Sequence, residues 1–203
     1  RVAILLPPSV AGALVNLAAL LAGKVTVNLN YTCSTETIAS CISQCGIGRV
    51  ITSRLFLEKT KLSLPCPAIT LEEAVGTPRL SDRVLAMAMG LLLPASWLER
   101  ALGRGRPACP DEVATIIFSS GSTGEPKGVV LTHANVAANI AQLAQVYRPT
   151  SRDRMLGVLP FFHSFGYTAT LCLPALCGMG VAYHPTPLDA QAVGRLVRDH
   201  ALT

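Results

Sequence analysis

Residues 116–128 read Ile-Ile-Phe-Ser-Ser-Gly-Ser-Thr-Gly-Glu-Pro-Lys-Gly. An apolar run carries the chain to Ser119, and small residues follow. Gly121, Gly124 and Gly128 punctuate the stretch, hydroxyls stand at Ser119, Ser120, Ser122 and Thr123, and Lys127 adds a cation. A strand ending in such a loop lets backbone N–H groups approach a polyanion closely. Hydroxyls add donors, and a lysine adds a compact positive charge. The chemistry suits a triphosphate. The Walker A loop, Gly-x-x-x-x-Gly-Lys-Ser/Thr, does not fit. Lys127 follows Pro126 instead of Gly, and Gly128 stands where Ser or Thr is required. That context sets aside an ordinary kinase or P-loop NTPase. A plain Gly/Ser turn between two strands is the simpler alternative.

Working outward, the chain has 203 residues, half of them hydrophobic and only 14% charged. Such a chain is too apolar for disorder and suits strands buried on both faces. The net charge of +5 favours ATP, other anions or an anionic membrane surface. With no Lys/Arg run and 5% aromatic residues, nucleic acid is not an expected partner. The seven cysteines form no Cys-x-x-Cys, and the expectation is reduced, buried thiols. The chain opens at Arg1 and stops at Thr203 without boundary signals, which suggests a stretch of a longer protein.

Short apolar runs alternate with helical patterns, the arrangement of a parallel sheet with crossover helices. Strands are predicted at 1–6, 25–29, 49–52, 114–118, 129–131, 155–159 and 180–183. Residues 69–74 are predicted as a strand running into a helical turn. Helices are predicted from Pro7-Pro8-Ser9 to Leu21, then over 34–45, 81–102, 132–147, 164–177 and 188–201. Ser34 and Thr132 are expected caps, and Gly23 and Gly46 expected stops. Residues 103–111 read as a linker. The apolar segment 84–98 is shorter than the roughly 20 residues of a bilayer span and contains Pro94, so a buried helix is expected. A helix lying in a membrane interface is the alternative.

The run from Ile116 to Lys127, continued by Gly-Val-Val-Leu-Thr-His over 128–133, resembles the phosphate-binding signature of the adenylate-forming superfamily, which includes acyl-CoA synthetases. A second motif, Leu159-Pro160-Phe161-Phe162-His163-Ser164-Phe165-Gly166, resembles the Pro-Leu-Phe-His-x-x-Gly pattern that follows it in acyl-CoA synthetases. The resemblance implies an α/β fold with largely parallel sheets and flanking helices, part of the large N-terminal domain of such an enzyme. Residues 1–203 would form a partial AMP-binding domain, truncated at both ends. Ser119, Ser120, Gly121, Ser122, Thr123, Gly124 and Lys127 would bind ATP, with Thr123 a weak candidate for Mg²⁺. Lys127 and His163 would be catalytic. His163, Phe161 and Tyr167 would line the carboxylate and acyl site, an imidazole donating to a carboxylate or phosphate oxygen. A histidine capping a helix is the plain alternative for His163. His133 is expected to hold a turn, and His184 and His200 to lie at the surface.

Asn28-Leu29-Asn30-Tyr31-Thr32 departs from the family's Pro-Leu-Asn-Pro. This departure, residues 51–59, Phe-His-Ser-Phe-Gly and residues 183–189 together resemble one subgroup. It is the acyl-acyl carrier protein synthetase portion of the bifunctional 2-acylglycerophosphoethanolamine acyltransferases. The resemblance implies an acid–thiol ligase that activates a long-chain fatty acid as acyl-AMP. The acyl group would pass to acyl carrier protein or CoA, in phospholipid acyl remodelling. A lysophospholipid partner would act through an acyltransferase domain outside this chain. The enzyme would be cytoplasmic, with inner-membrane contact or anchoring left to parts outside this chain. The family's later elements are a Tyr-Gly-x-Thr-Glu segment, an Asp that binds ribose and a C-terminal-domain Lys. All three fall beyond Thr203 in the family order, so the isolated chain is expected to be inactive. A non-catalytic nucleotide- or acyl-binding relative is the other class.

Overall fold

The computed structural model describes residues 1–77, 79–103, 105, 108–120 and 125–203, and of Ser120 the backbone alone. A six-stranded sheet forms the frame. In chain order its strands are β1 (Val2–Ile4), β2 (Thr26–Asn28), β3 (Val50–Thr52), β4 (Ala68–Thr70), β5 (Val113–Ser120) and β6 (Pro126–Thr132). Their spatial order is β4-β3-β1-β2-β5-β6. Pairing is parallel from β4 through β5, and β6 returns antiparallel to β5. Two short strands, β7 (Arg154–Gly157) and β8 (Gly180–Tyr183), form a separate parallel pair.

Helices cover both faces of the frame, as buried parallel strands require. On one face α2 (Thr35–Gln44) packs Ile38, Cys41 and Ile42, with its C-cap Cys45, against Ala3, Leu5, Val27, Val50 and Ile116. On the other, α1 (Val10–Leu21) and α7 (His133–Tyr147) contribute Ala13 and Ile140 to a core with Ile117, Phe161, Tyr167 and Leu171. The helix ends follow local chemistry. Ser9 and Ser34 accept the backbone N–H of Gly12 and Thr37 at 3.0 and 3.3 Å. Gly23 and Gly46 close α1 and α2 at φ of 67° and 59°, a region that favours glycine. Thr132 and Asn135 exchange side-chain bonds of 3.1 and 3.0 Å at the start of α7, a capping box.

Several expectations change. The 81–102 helix is two helices, α5 (Leu80–Leu92) and α6 (Ala95–Ala101), because Leu93 is extended at ψ 136° before Pro94. Proline disfavours helical backbone in the residue before it. Neither helix buries a residue, and Leu85 and Leu91 are 61% and 77% exposed, so the expected buried helix is overturned. A helix absent from the sequence reading, α3 (Arg54–Thr60), starts where Ser53 accepts the Phe56 N–H at 3.1 Å. β4 runs directly into the short helix α4 (Leu71–Val75), as expected. Of the 103–111 linker, Arg104, Arg106 and Pro107 lie outside the described residues.

The 164–177 stretch is helical but irregular, with α8 (Ser164–Tyr167), a π-helical turn (Thr168–Cys172) and α9 (Leu173–Cys177). Pro174 lacks an N–H, so the Thr170 carbonyl four residues earlier loses its usual partner. The Tyr183 hydroxyl donates to that carbonyl instead, at 2.8 Å. The last helix is α10 (Ala190–Asp199), capped by Asp189, which accepts from the Ala192 N–H at 2.9 Å. All seven cysteines are free. Cys41, Cys45 and Cys172 are buried, whereas Cys109 is exposed, against the expectation of uniformly buried thiols.

Candidate active site

The Gly/Ser/Thr stretch is flanked by the antiparallel pair β5 and β6. These hairpin arms are hydrogen-bonded, with Phe118 opposite Gly128, Ser119 opposite Lys127 and Ser120 opposite Pro126. Directly opposed residues of an antiparallel pair project to the same face. Ser119 and Lys127 are therefore neighbours on one side of the hairpin, and both are exposed. Gly121, Ser122, Thr123 and Gly124 lie outside the described residues, as does the side chain of Ser120. Gly128 faces the ring of Phe118. A Cβ there would sit 3.0 Å from the Ile116 side chain and 3.3 Å from that ring. Gln44, at the end of α2, donates to the Pro126 carbonyl at 3.1 Å and ties the hairpin to the sheet's helical layer.

A cleft of about 420 Å³ opens beside the hairpin arms. Asn28 and Asn30 line it from the end of β2, and Cys33, Thr37 and Cys41 from α2 and its approach. Ser119 and Pro126 enter from the hairpin, and Phe162, His163 and Ser164 from the loop after β7. His163 is exposed at the start of α8, and its ring makes no cap bond to that helix. The turn is held by the backbone instead, with the His163 N–H donating to Pro160 at 3.1 Å and its carbonyl accepting from Tyr167 at 2.9 Å. Both sequence motifs thus open on one cleft. They reach it from different sheets, β5 from the large one and β7 from the pair.

The aromatic wall differs from the expectation. Phe161 and Tyr167 are 1% and 0% exposed and belong to the core beneath the site. Phe161 meets Tyr183 edge-to-face at 5.6 Å, and the Tyr167 hydroxyl lies 3.3 Å from that of Thr26. Neither residue lines the cleft. Phe162 lines it instead, with Tyr31 edge-on at 5.0 Å and the His163 ring at 4.6 Å. Burial pushes the Tyr31 hydroxyl up to about 12.

Asn28 was also missed. Its amide pairs with that of Asn16, which is fully buried on α1. The available signal was an amide inside the apolar run of α1 and another at the end of an apolar strand. His133 opens α7, with its N–H donating to Glu112 at 3.0 Å, in keeping with a turn-holding place. His184 is half-buried, its Nε2 3.9 Å from the Asp189 carboxylate, and so is not the plain surface residue expected. His200 is exposed as expected.

The AMP-binding enzyme family matches the chain over residues 1–203. A 4-coumarate–CoA ligase of Oryza sativa is 31% identical over 195 residues, which are 91% of this chain and 34% of that protein. Peroxisomal long chain acyl-CoA synthetase 6 of Arabidopsis thaliana is 42% identical over 78 residues, 38% of this chain and 11% of that protein. Among solved structures, the O-succinylbenzoate CoA synthetase of Bacillus subtilis, in complex with ATP and magnesium, superposes with a TM-score of 0.75 at 24% identity. The match takes in all of this chain and 38% of that one. The N-terminal domain of FACL13 from Mycobacterium tuberculosis superposes with a TM-score of 0.72 at 25% identity, over all of this chain and 48% of that one.

The chain belongs to the AMP-binding enzyme family, and its fold is that of the N-terminal domain of adenylate-forming enzymes. It spans about a third or less of the length of the curated relatives it matches. Those relatives include acyl- and aryl-CoA ligases.

Proposed function

We propose that the protein containing this chain activates a long-chain fatty acid with ATP and passes the acyl group to a thiol, that of acyl carrier protein or of CoA. The observation that supports this reading is one cleft shared by the hairpin arm at Ser119 and the ring of His163. In the first half-reaction a carboxylate oxygen attacks the α-phosphorus of ATP. The bond to the β-phosphate oxygen breaks, and pyrophosphate leaves with its electrons. In the second, the thiol attacks the acyl carbonyl and AMP leaves.

The residues present fit this chemistry. Lys127, beside Ser119 on the hairpin, is assigned to the charge on the departing pyrophosphate. His163 is assigned to the carboxylate, as a donor without a fixed charge. Asn28 adds an amide at the cleft floor. Ser119 and the backbone of Ser120 are assigned to the phosphates, with Gly121, Ser122, Thr123 and Gly124 completing the loop. Thr123, the candidate ligand for Mg²⁺, lies outside the described residues. The acyl-acyl carrier protein synthetase subgroup, with a role in phospholipid remodelling, is the finer assignment. It rests on the sequence around Tyr31, residues 51–59 and residues 183–189.

ATP–pyrophosphate exchange by the complete protein tests the reading, with palmitate, 4-coumarate or ferulate as the acid. Exchange is expected with palmitate. Exchange with the aryl acids alone would replace the fatty-acid assignment, and no exchange with any acid would point to a binding protein. Acyl carrier protein and CoA, supplied separately, then identify the acceptor.

A further inference from the structure

Four rings stand in a row from α3 to the cleft. Phe56 meets Tyr31 edge-to-face at 5.2 Å and 85°, Tyr31 meets Phe162 at 5.0 Å and 85°, and Phe162 lies 4.6 Å from the His163 ring. Edge-to-face pairs are directional, because the positive edge of one ring seeks the negative face of another. The row joins two loops of different origin. Tyr31 follows β2 of the large sheet, and Phe162 follows β7 of the small one.

Each loop is tied by local hydrogen bonds beside its ring. Asn30 Oδ1 accepts the N–H and hydroxyl of Thr32 at 2.9 and 2.7 Å, a side-chain turn that fixes Tyr31. The Pro160–His163 turn is closed by a backbone bond of 3.1 Å. Phe162 is 5% exposed, so it has little freedom to turn aside.

We propose that Tyr31 is a positioning residue for His163, acting through the Phe162 ring to hold the imidazole at its place in the cleft. Its bearing on the reaction rests on the reading that His163 faces the reacting carboxylate. The requirement is for an aromatic edge and not for the hydroxyl, so Tyr31→Phe should serve and Tyr31→Leu should not.

The test has two readouts in the complete protein. The first is the ring Hε1 resonance of His163 in ¹³C-histidine-labelled protein, assigned by its loss in His163→Ala. Tyr31→Leu is expected to shift or broaden that resonance, and Tyr31→Phe to leave it near the original position. The second is pyrophosphate exchange. Tyr31→Leu is expected to raise the palmitate KM about two- to tenfold with a smaller change in kcat. Added to His163→Ala, it should raise KM no further, because residues acting as a unit are non-additive.

A His163 resonance unmoved in Tyr31→Leu overturns the proposal. If the resonance moves but neither Tyr31→Leu nor His163→Ala changes the palmitate KM, the positioning role stands and the carboxylate reading of His163 falls. Should Tyr31→Leu fail to fold, Tyr31→Met keeps most of the buried volume without a ring and carries the same outcomes.

Discussion

The side-chain amides of Asn16 and Asn28 bond each other reciprocally, Asn16 Nδ2 to Asn28 Oδ1 at 3.0 Å and Asn28 Nδ2 to Asn16 Oδ1 at 2.8 Å. Asn16 also donates to the Gly12 carbonyl at 2.9 Å. The pair joins α1 to the end of β2 directly beneath the cleft, where Asn28 is a lining residue. Asn16→Leu leaves the buried Asn28 amide without its partner and should cost roughly 1–3 kcal/mol. Urea unfolding of the variant measures this. A midpoint equal to wild type would mean that the amide finds water or another partner, and the pair would lose its structural weight.

Gly166 is expected to tolerate no side chain. A Cβ there would lie 2.0 Å from the Pro160 carbonyl oxygen, which is backbone and cannot swing away. Gly166→Ala must push apart the turn that carries His163. A loss of about 1–3 kcal/mol is expected, in the range of overpacked sites, together with a raised carboxylate KM. If the variant matches wild type in both unfolding and KM, the turn is looser than described.

Tyr167 is buried in the core and does not line the cleft. Tyr167→Phe removes a hydroxyl 3.3 Å from Thr26 and should lower stability by roughly 0.5–1.5 kcal/mol. The palmitate KM should stay within twofold or so of wild type. A large KM change at unchanged stability would return Tyr167 to the pocket wall.

Lys127 is exposed on β6, so Lys127→Ala should alter stability by no more than about 0.5 kcal/mol. Its proposed place beside the leaving pyrophosphate predicts a loss of roughly 10²- to 10³-fold in exchange rate at saturating substrates. Isotope exchange is the assay, and an undiminished rate would remove Lys127 from the reaction.

Alkali should weaken the fold. Burial pushes the Cys172 thiol up to about 12 and the Cys41 thiol up to about 11, and burial likewise raises the hydroxyls of Tyr31 and Tyr183 to about 12. An unfolded thiol ionises near 8.5 or so. Below that pH both states keep the proton and the contribution is complete. Above it the unfolded chain gives up protons that the folded chain retains, so stability falls with rising pH until the folded groups ionise. Urea midpoints at pH 7, 9 and 10.5 should fall in that order, and Cys172→Val should flatten the slope. A midpoint independent of pH would contradict the burial of these groups.

What the sequence made legible was local. The caps at Ser34 and Thr132 and the stop at Gly46 depend on one residue and its next turn, and each stands where expected. Strands on either side of the Gly/Ser/Thr stretch were also readable, because an apolar run borders it on each side. What was not legible depends on distant chain. Arg154 pairs with Gly180, and no local pattern says that this pair leaves the main sheet. Phe161 and Phe162 are alike in chemistry, yet the turn after Pro160 sends one to the core and the other to the cleft wall. The apolar residues of α5 suggested burial, but composition does not say whether a neighbour is there to cover them.

β4 forms one edge of the sheet, whereas β5 enters beside β2 in the interior, so residues 71–112 must travel past three strands to reach their place. Helices α4, α5 and α6 make that journey without burying a residue. At the far end of the passage β5 is joined directly to β2, the Thr115 hydroxyl donating to the Thr26 carbonyl at 2.9 Å. A protease that nicked this passage would therefore leave two polypeptides still stitched together by the sheet. Asn28, Cys33 and Cys41 would lie on the first piece and Ser119 and His163 on the second. The cleft would become a junction between complementary halves, able to form only when the two reassociate.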